Sequence, residues 1–148
     1  IDKQFKFINE VSRVLKVGGE LIISTPNISS LRSRWRWLMT GHHNKCKSPL
    51  DENNPNSLHH IGMISFPEMR YLLHTNGLII TGVTTNRIKH ISWIYVIFLP
   101  FSYLYTTLTY RKTGRKDCTK SINKEVKKSM FSYSVLFGET LIVKAEKI

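Results

Sequence analysis

The chain has 148 residues, 41% of them apolar, and carries a net charge of +12 at neutral pH. That length is ample for one domain with a proper core, and two widely separated cysteines, Cys46 and Cys118, give no sign of a disulfide framework and fit a reducing cytoplasm. The cationic excess points to polyanions as partners (nucleic acid, anionic lipid headgroups or phosphorylated substrates) or to a solvated basic surface, and says nothing about fold.

The first element is a helix. Phe5, Ile8, Val11, Val14 and Leu15 recur at helical spacing and define one apolar face. Asp2 is the expected N-cap, and Lys16 suits the last turn. Gly18 or Gly19 supplies the positive-φ residue that ends such a helix. Leu21, Ile22 and Ile23 then form a short apolar run, as expected of a strand covered on both faces. Thr25-Pro26-Asn27 leaves that strand. Helix, glycine turn and buried strand together make half of a crossover unit of an α/β sheet.

This stretch resembles the segment of class I S-adenosylmethionine-dependent methyltransferases that reads E-x-x-R-V-L-K-P-G-G-x-L-x-I-x-T-P-N. The matching residues are Glu10, Arg13, Val14, Leu15, Lys16, Gly18, Gly19, Leu21, Ile23, Thr25, Pro26 and Asn27, with Val17 in place of the usual proline. In that family the segment is the helix before strand five, strand five and the loop leaving it. The family's cofactor-binding motif, a glycine-rich loop after strand one with an acidic residue after strand two, has no counterpart: no G-x-G-x-G occurs in the chain. The resemblance therefore implies the C-terminal portion of a longer protein, or a truncated reading frame, with the cofactor motif upstream of Ile1.

Next, Ser29 or Ser30 can cap a short helix with Leu31, Trp35 and Leu38 at helical spacing. Arg32, Arg34 and Arg36 alternate there with Trp35 and Trp37. Arginine beside aromatics suits RNA or a lipid headgroup layer. The plainer expectation is an amphipathic helix that packs its Trp-Leu face on the sheet. Gly41 to His60 is polar and rich in asparagine and proline, hence a loop. Its His42, His43, Cys46, His59 and His60 do not follow a standard ligand spacing, and no metal is expected. Ser65, Pro67 and Glu68 open a helix with a capping box, Met69, Leu72 and Leu73 form its buried face, and Asn76-Gly77 ends it. Leu78 to Val83 reads as a strand. A histidine, then S-x-x-E, then a Leu-Leu pair and a glycine before a strand also resembles the same family around its strand six. Leu78 stands where phenylalanine is common there.

Ile91 to Tyr110 contains no charged residue, and about 20 residues are enough to span a bilayer as a helix. Pro100 at its centre suggests two short helices packed as a hairpin. Basic residues flank both ends, whereas a span prefers its positive flank on one side. Packed core or dimer interface, a membrane-surface element and a true span are the three readings of this stretch. Lys112 to Lys128 is basic and polar and reads as a solvated linker or lid. Thr140 to Ala145 is a final strand, and FGETLIVKAEK resembles the family's last strand, which inserts antiparallel between strands five and six.

The fold expected is α/β: part of a Rossmann-like methyltransferase sheet in the order 5-7-6, last strand antiparallel, with Leu21–Ser24 central. Flanking helices cover it, and a helical aromatic insertion occupies about 88–132 of a single domain over 1–148. The resemblance implies methyl transfer from S-adenosylmethionine to a small-molecule or lipid-linked acceptor, with a lipid-linked or sugar-phosphate intermediate favoured by the aromatic insertion and basic surface. The chain alone is not expected to be active or to bind the cofactor. Thr25, Pro26 and Asn27 are the candidate cleft residues, because in doubly wound sheets the site lies beyond the carboxyl ends of the strands. His59 or His60 is the candidate base, since histidine titrates near neutrality. The alternative is a non-catalytic membrane-surface or RNA-binding module, or a remnant. The partners considered are an anionic membrane surface and a second copy, with nucleic acid disfavoured. The expected location is the cytoplasm, peripheral at the membrane.

Overall fold

The computed structural model describes residues 3–46, 53, 62–113 and 117–148. Helix α1 is Gln4–Val14, with Lys3 at its N-cap position; Asp2 lies outside the described residues. Strand β1 is Glu20–Pro26, α2 is Leu31–Thr40, α3 is Phe66–Thr75 and β2 is Leu78–Thr85. A 3-10 helix, His90–Phe98, runs directly into α4, Leu99–Thr113. Helices α5, Asp117–Met130, and α6, Tyr133–Phe137, lead to the last strand, β3, Thr140–Lys147.

The sheet order is β1-β3-β2, with β3 antiparallel to both neighbours. Strands β1 and β2 therefore run parallel to each other on either side of it. Thr140–Ala145 thus takes its expected place between the two earlier strands. Leu21–Ser24 does not: β1 is an edge strand among the described residues. Nor is it covered on both faces, because Ile22 is 66% exposed. The apolar run is real, but among the described residues helices pack against only one side of this strand.

The main core forms where α1 and α3 meet the sheet. Ile8, Phe66, Met69, Leu73, Leu78, Val135, Leu141, Val143 and Ala145 are all buried there. The alternation in β3 follows from its pleat: Leu141, Val143 and Ala145 point inward and Lys144 outward. Of the face expected for α1, Ile8 enters the core and Leu15 packs beside it, while Phe5 and Val14 remain in solvent. A sheet this narrow offers too little apolar surface to cover the whole helix.

The C-terminal cap of α1 also differs from expectation. Lys16 lies beyond the helix, and the Lys147 ammonium instead reaches the carbonyls of Ser12 at 2.6 Å and Leu15 at 2.8 Å. A cation at that end offsets the helix dipole. Gly18 supplies the positive φ, +76°, that turns the chain into β1.

Helix α3 begins as its sequence dictates. The Glu68 carboxylate accepts the Ser65 N–H at 2.6 Å, and Gly77 at φ +71° follows the helix. Ser30 caps α2, and Gly41 at φ +70° terminates it. Yet α2 does not lay a Trp-Leu face on the sheet. Leu38 is exposed, and Trp35 stacks on Phe98 of the 3-10 helix with ring centres 4.3 Å apart. Leu31, Leu136 and Phe137 form a second, smaller core there, flanked by Tyr95, Val96, Leu99 and Phe131.

Pro100 does not break the apolar stretch into a hairpin. It sits in the first turn of α4, where its missing N–H is not needed, and Leu99 has ordinary right-handed helical angles. His90–Lys112 is thus one helical rod, long and apolar enough to cross a membrane by length and composition alone. Only 6% of its most apolar window is buried, so it is not a core element. The hairpin instead pairs α4 with α5: the Asn123 amide donates to the Tyr110 carbonyl at 3.2 Å. Lys112–Lys128 is accordingly not a linker over its described part. Val126 anchors α5, and Arg70 of α3 grips Glu125 through two hydrogen bonds of 3.0 and 2.8 Å.

Candidate functional site

The end of β1 frames an apolar recess of the main core, a cavity of about 250 Å³. Gln4, Phe7 and Ile8 of α1 form one wall, and Ile23 to Pro26 another. Met69, Leu72 and Leu73 of α3 close the floor, and Gly62, Met63 and Ile64 form the rim. The Gln4 amide donates to the Gly62 carbonyl and ties α1 to that rim. None of these lining residues is ionisable. The cavity can hold an apolar group and shield it from water, with Thr25 and Ser24 as the hydroxyl-bearing residues of its wall.

Of the sequence-selected cleft residues, Thr25 and Pro26 line this cavity. Asn27 has another task. It is 3% exposed, and its amide donates to the carbonyls of Val135 and Gly138, both at 2.9 Å. Its side-chain oxygen accepts the Ser29 N–H at 3.0 Å. Asn27 thus fastens the exit of β1 to α6. Gly138 is required at this junction, because a Cβ would collide with the Ser134 carbonyl and the Thr85 side chain. His59 and His60 lie outside the described residues.

Glu139, which sequence reasoning passed over, is the electrostatic centre of the same junction. Its carboxylate meets Lys45 at 2.6 Å, Lys89 at 2.9 Å and Arg87 at 3.1 Å. The hydrogen bond from Lys45, aided by Lys89, holds its pKa down at about 2 against partial burial. The adjacent recess measures only about 10 Å³, room for no more than a water molecule, so the cluster locks the fold. No sequence signal marks it, because its cations come from two segments far from it in sequence, Lys45 after α2 and Arg87 and Lys89 after β2.

Of the arginines of α2, Arg34 is turned into the fold. The Arg34 guanidinium donates to the Ser29 carbonyl at 2.7 Å and to the Ser102 hydroxyl at 3.0 Å, and lies 5.9 Å from the centre of the Phe131 ring. Burial lowers its pKa to about 10, with Tyr110 opposing. Among the described residues no His, Cys, Asp and Glu group is arranged to hold a metal ion. The Nδ1 of His43 lies 3.4 Å from the Ser33 hydroxyl, and its ring stacks against Trp37. His74 accepts the Ile80 N–H at 3.3 Å, which requires a neutral ring; burial keeps its pKa low.

A site for S-adenosylmethionine would need a carboxylate for its ribose and a glycine-rich loop for close approach. Among the described residues the cavity offers no carboxylate for ribose hydroxyls, and no glycine-rich loop approaches it. No protein-family model matches the chain, and no curated protein matches it.

Proposed function

We propose that the chain is the strand-five-to-seven portion of a class I S-adenosylmethionine-dependent methyltransferase. One observation carries this reading: β3 lies antiparallel between two mutually parallel strands, and the Thr25-Pro26 exit of β1 opens on an apolar cavity. That is the arrangement the family's 5-7-6 strands would give, with the cleft beyond the carboxyl end of strand five. S-adenosylmethionine, when bound, supplies an electrophilic methyl group. The residues of this chain contribute the dry wall of the acceptor side, through Thr25, Pro26 and Met69. Under this reading His59 or His60, just ahead of the Gly62 rim in sequence, takes the acceptor's proton. The exposed apolar rod and basic surface favour a lipid-linked or sugar-phosphate acceptor.

The test begins with the coding sequence upstream of Ile1. A glycine-rich strand–loop–helix is expected there, and the protein including it should transfer tritiated methyl from S-adenosylmethionine to an extracted lipid or sugar-phosphate fraction. Replacing His59 and His60 together by alanine should lower kcat about 100-fold with KM for the cofactor unchanged. Absence of that upstream motif would overturn the reading and leave a non-catalytic module.

A further inference from the structure

The rod formed by the 3-10 helix and α4 presents one continuous apolar stripe to solvent. Ile91, Ile94 and Ile97 fall three apart, the spacing that stacks side chains on one face of a 3-10 helix. After the change to α-helix the stripe continues at spacings of three and four through Phe101, Leu104, Tyr105 and Leu108. All are exposed, Ile94 at 69% and Phe101 at 72%. The opposite face is already used: Ser92 is buried there, and Val96 and Leu99 pack on the second core. The stripe therefore has no partner among the described residues.

Charge specifies what covers it. From Arg87 to Lys128 the sequence holds ten lysines and arginines against two acidic residues, Asp117 and Glu125. Glu125 is neutralised by Arg70. Between α4 and α5 an open groove of about 290 Å³ is lined by Arg111, Lys120, Lys124 and Lys127, with no carboxylate among its walls. A second copy on the stripe would bring two such cationic grooves together, which like charges oppose. Anionic headgroups complement both features at once.

The packing also fixes the orientation. Helix α5 lies along the C-terminal half of the rod, joined by the Asn123–Tyr110 hydrogen bond and by the Lys127 ammonium 4.9 Å from the centre of the Tyr103 ring. It is held to α3 by the Arg70–Glu125 pair. A crossing rod would carry the lysines of α5 into hydrocarbon or tear α5 from both neighbours. Strands β2 and β3, on either side of the insertion in sequence, belong to one sheet and must stay in one compartment.

We propose that the rod His90–Thr113 lies flat on an anionic lipid surface, its outer stripe in the headgroup layer and the α4–α5 groove over the lipid phosphates. This stands independently of the methyl-transfer reading. The test is flotation of the full chain with vesicles of phosphatidylcholine alone and of equimolar phosphatidylcholine and phosphatidylglycerol. Binding should be at least ~10-fold stronger to the anionic vesicles and should fall as salt rises. Ile94→Glu with Phe101→Glu should weaken it by a further ~10-fold or more, and Arg111→Glu with Lys124→Glu should remove the preference for anionic lipid. All four positions are exposed, so circular dichroism and melting should match the parent chain. Ile22→Glu, on the open face of the sheet, should leave binding unchanged and controls for general stickiness. The proposal is overturned by equal binding to both vesicle types, by binding that resists alkaline carbonate, or by no binding at all. In the last case a dimer in light scattering that the Ile94→Glu and Phe101→Glu pair dissolves would assign the stripe to a second copy.

Discussion

The main core and the helical rod use apolar residues in opposite ways. Around β3, nine apolar side chains from five elements are buried against one another. Along His90–Thr113 a comparable number of large apolar residues faces outward, and the buried face belongs to a small satellite core. Hydropathy alone does not separate the two, since both stretches are apolar. The difference lies in partners: β3 has a paired strand on each edge and a helix-covered face, whereas the rod has α2, α5 and α6 along part of its circumference only. Apolar sequence buys a core only where other elements converge on it.

That contrast can be broken at defined points. Leu73→Ala, at a site with no solvent exposure, should cost about 3 kcal/mol, read from the midpoint of urea denaturation. Asn27→Ala leaves the buried carbonyls of Val135 and Gly138 without their donor and should cost about 2 kcal/mol by the same measurement. Glu139→Gln removes a three-cation anchor that is only partly shielded from water, and about 1 kcal/mol is expected. Its pH signature follows from the lowered pKa. The carboxylate titrates near 2 in the fold against an ordinary 4.5, so its stabilisation is complete above 4.5 and fades as pH falls toward 2. The Gln variant should lose that component of the acid transition in a pH series of melts. Ile97→Ser, on the outer stripe, should change stability by less than about 0.5 kcal/mol. A loss comparable to that of Leu73→Ala would make the rod a second core and erase the contrast.

Local chemistry made the sheet region legible. The Ser65–Glu68 capping box, the glycines at 18 and 77 and the inward alternation of Leu141, Val143 and Ala145 are short-range signals. Order and direction of the three strands followed from resemblance. What sequence did not show depends on distant partners. Helix α5 reads as a polar linker because its apolar contacts reduce to a narrow strip around Val126, and α6 is five residues long, too short for periodicity to register. Pro100 signals a break equally well whether it ends a helix or occupies a first turn, and only the path of the preceding residues decides. At the candidate site, Thr25 and Pro26 were legible as the exit of a strand. The role of Asn27 was not, because its partners lie more than a hundred residues away.

The contrast between the two regions is tested most directly by hydrogen exchange of the full chain, followed segment by segment with and without anionic vesicles. Without vesicles, the amides of β3 should be the slowest and those of His90–Thr113 should exchange at least ~100-fold faster, since little packing protects that rod. With vesicles of equimolar phosphatidylcholine and phosphatidylglycerol, His90–Thr113 should slow by ~10-fold or more while β3 stays unchanged. Protection of His90–Thr113 equal to that of β3 in the absence of lipid, or no response to vesicles, would contradict the division of the molecule into an inward-packed sheet and an outward-facing rod.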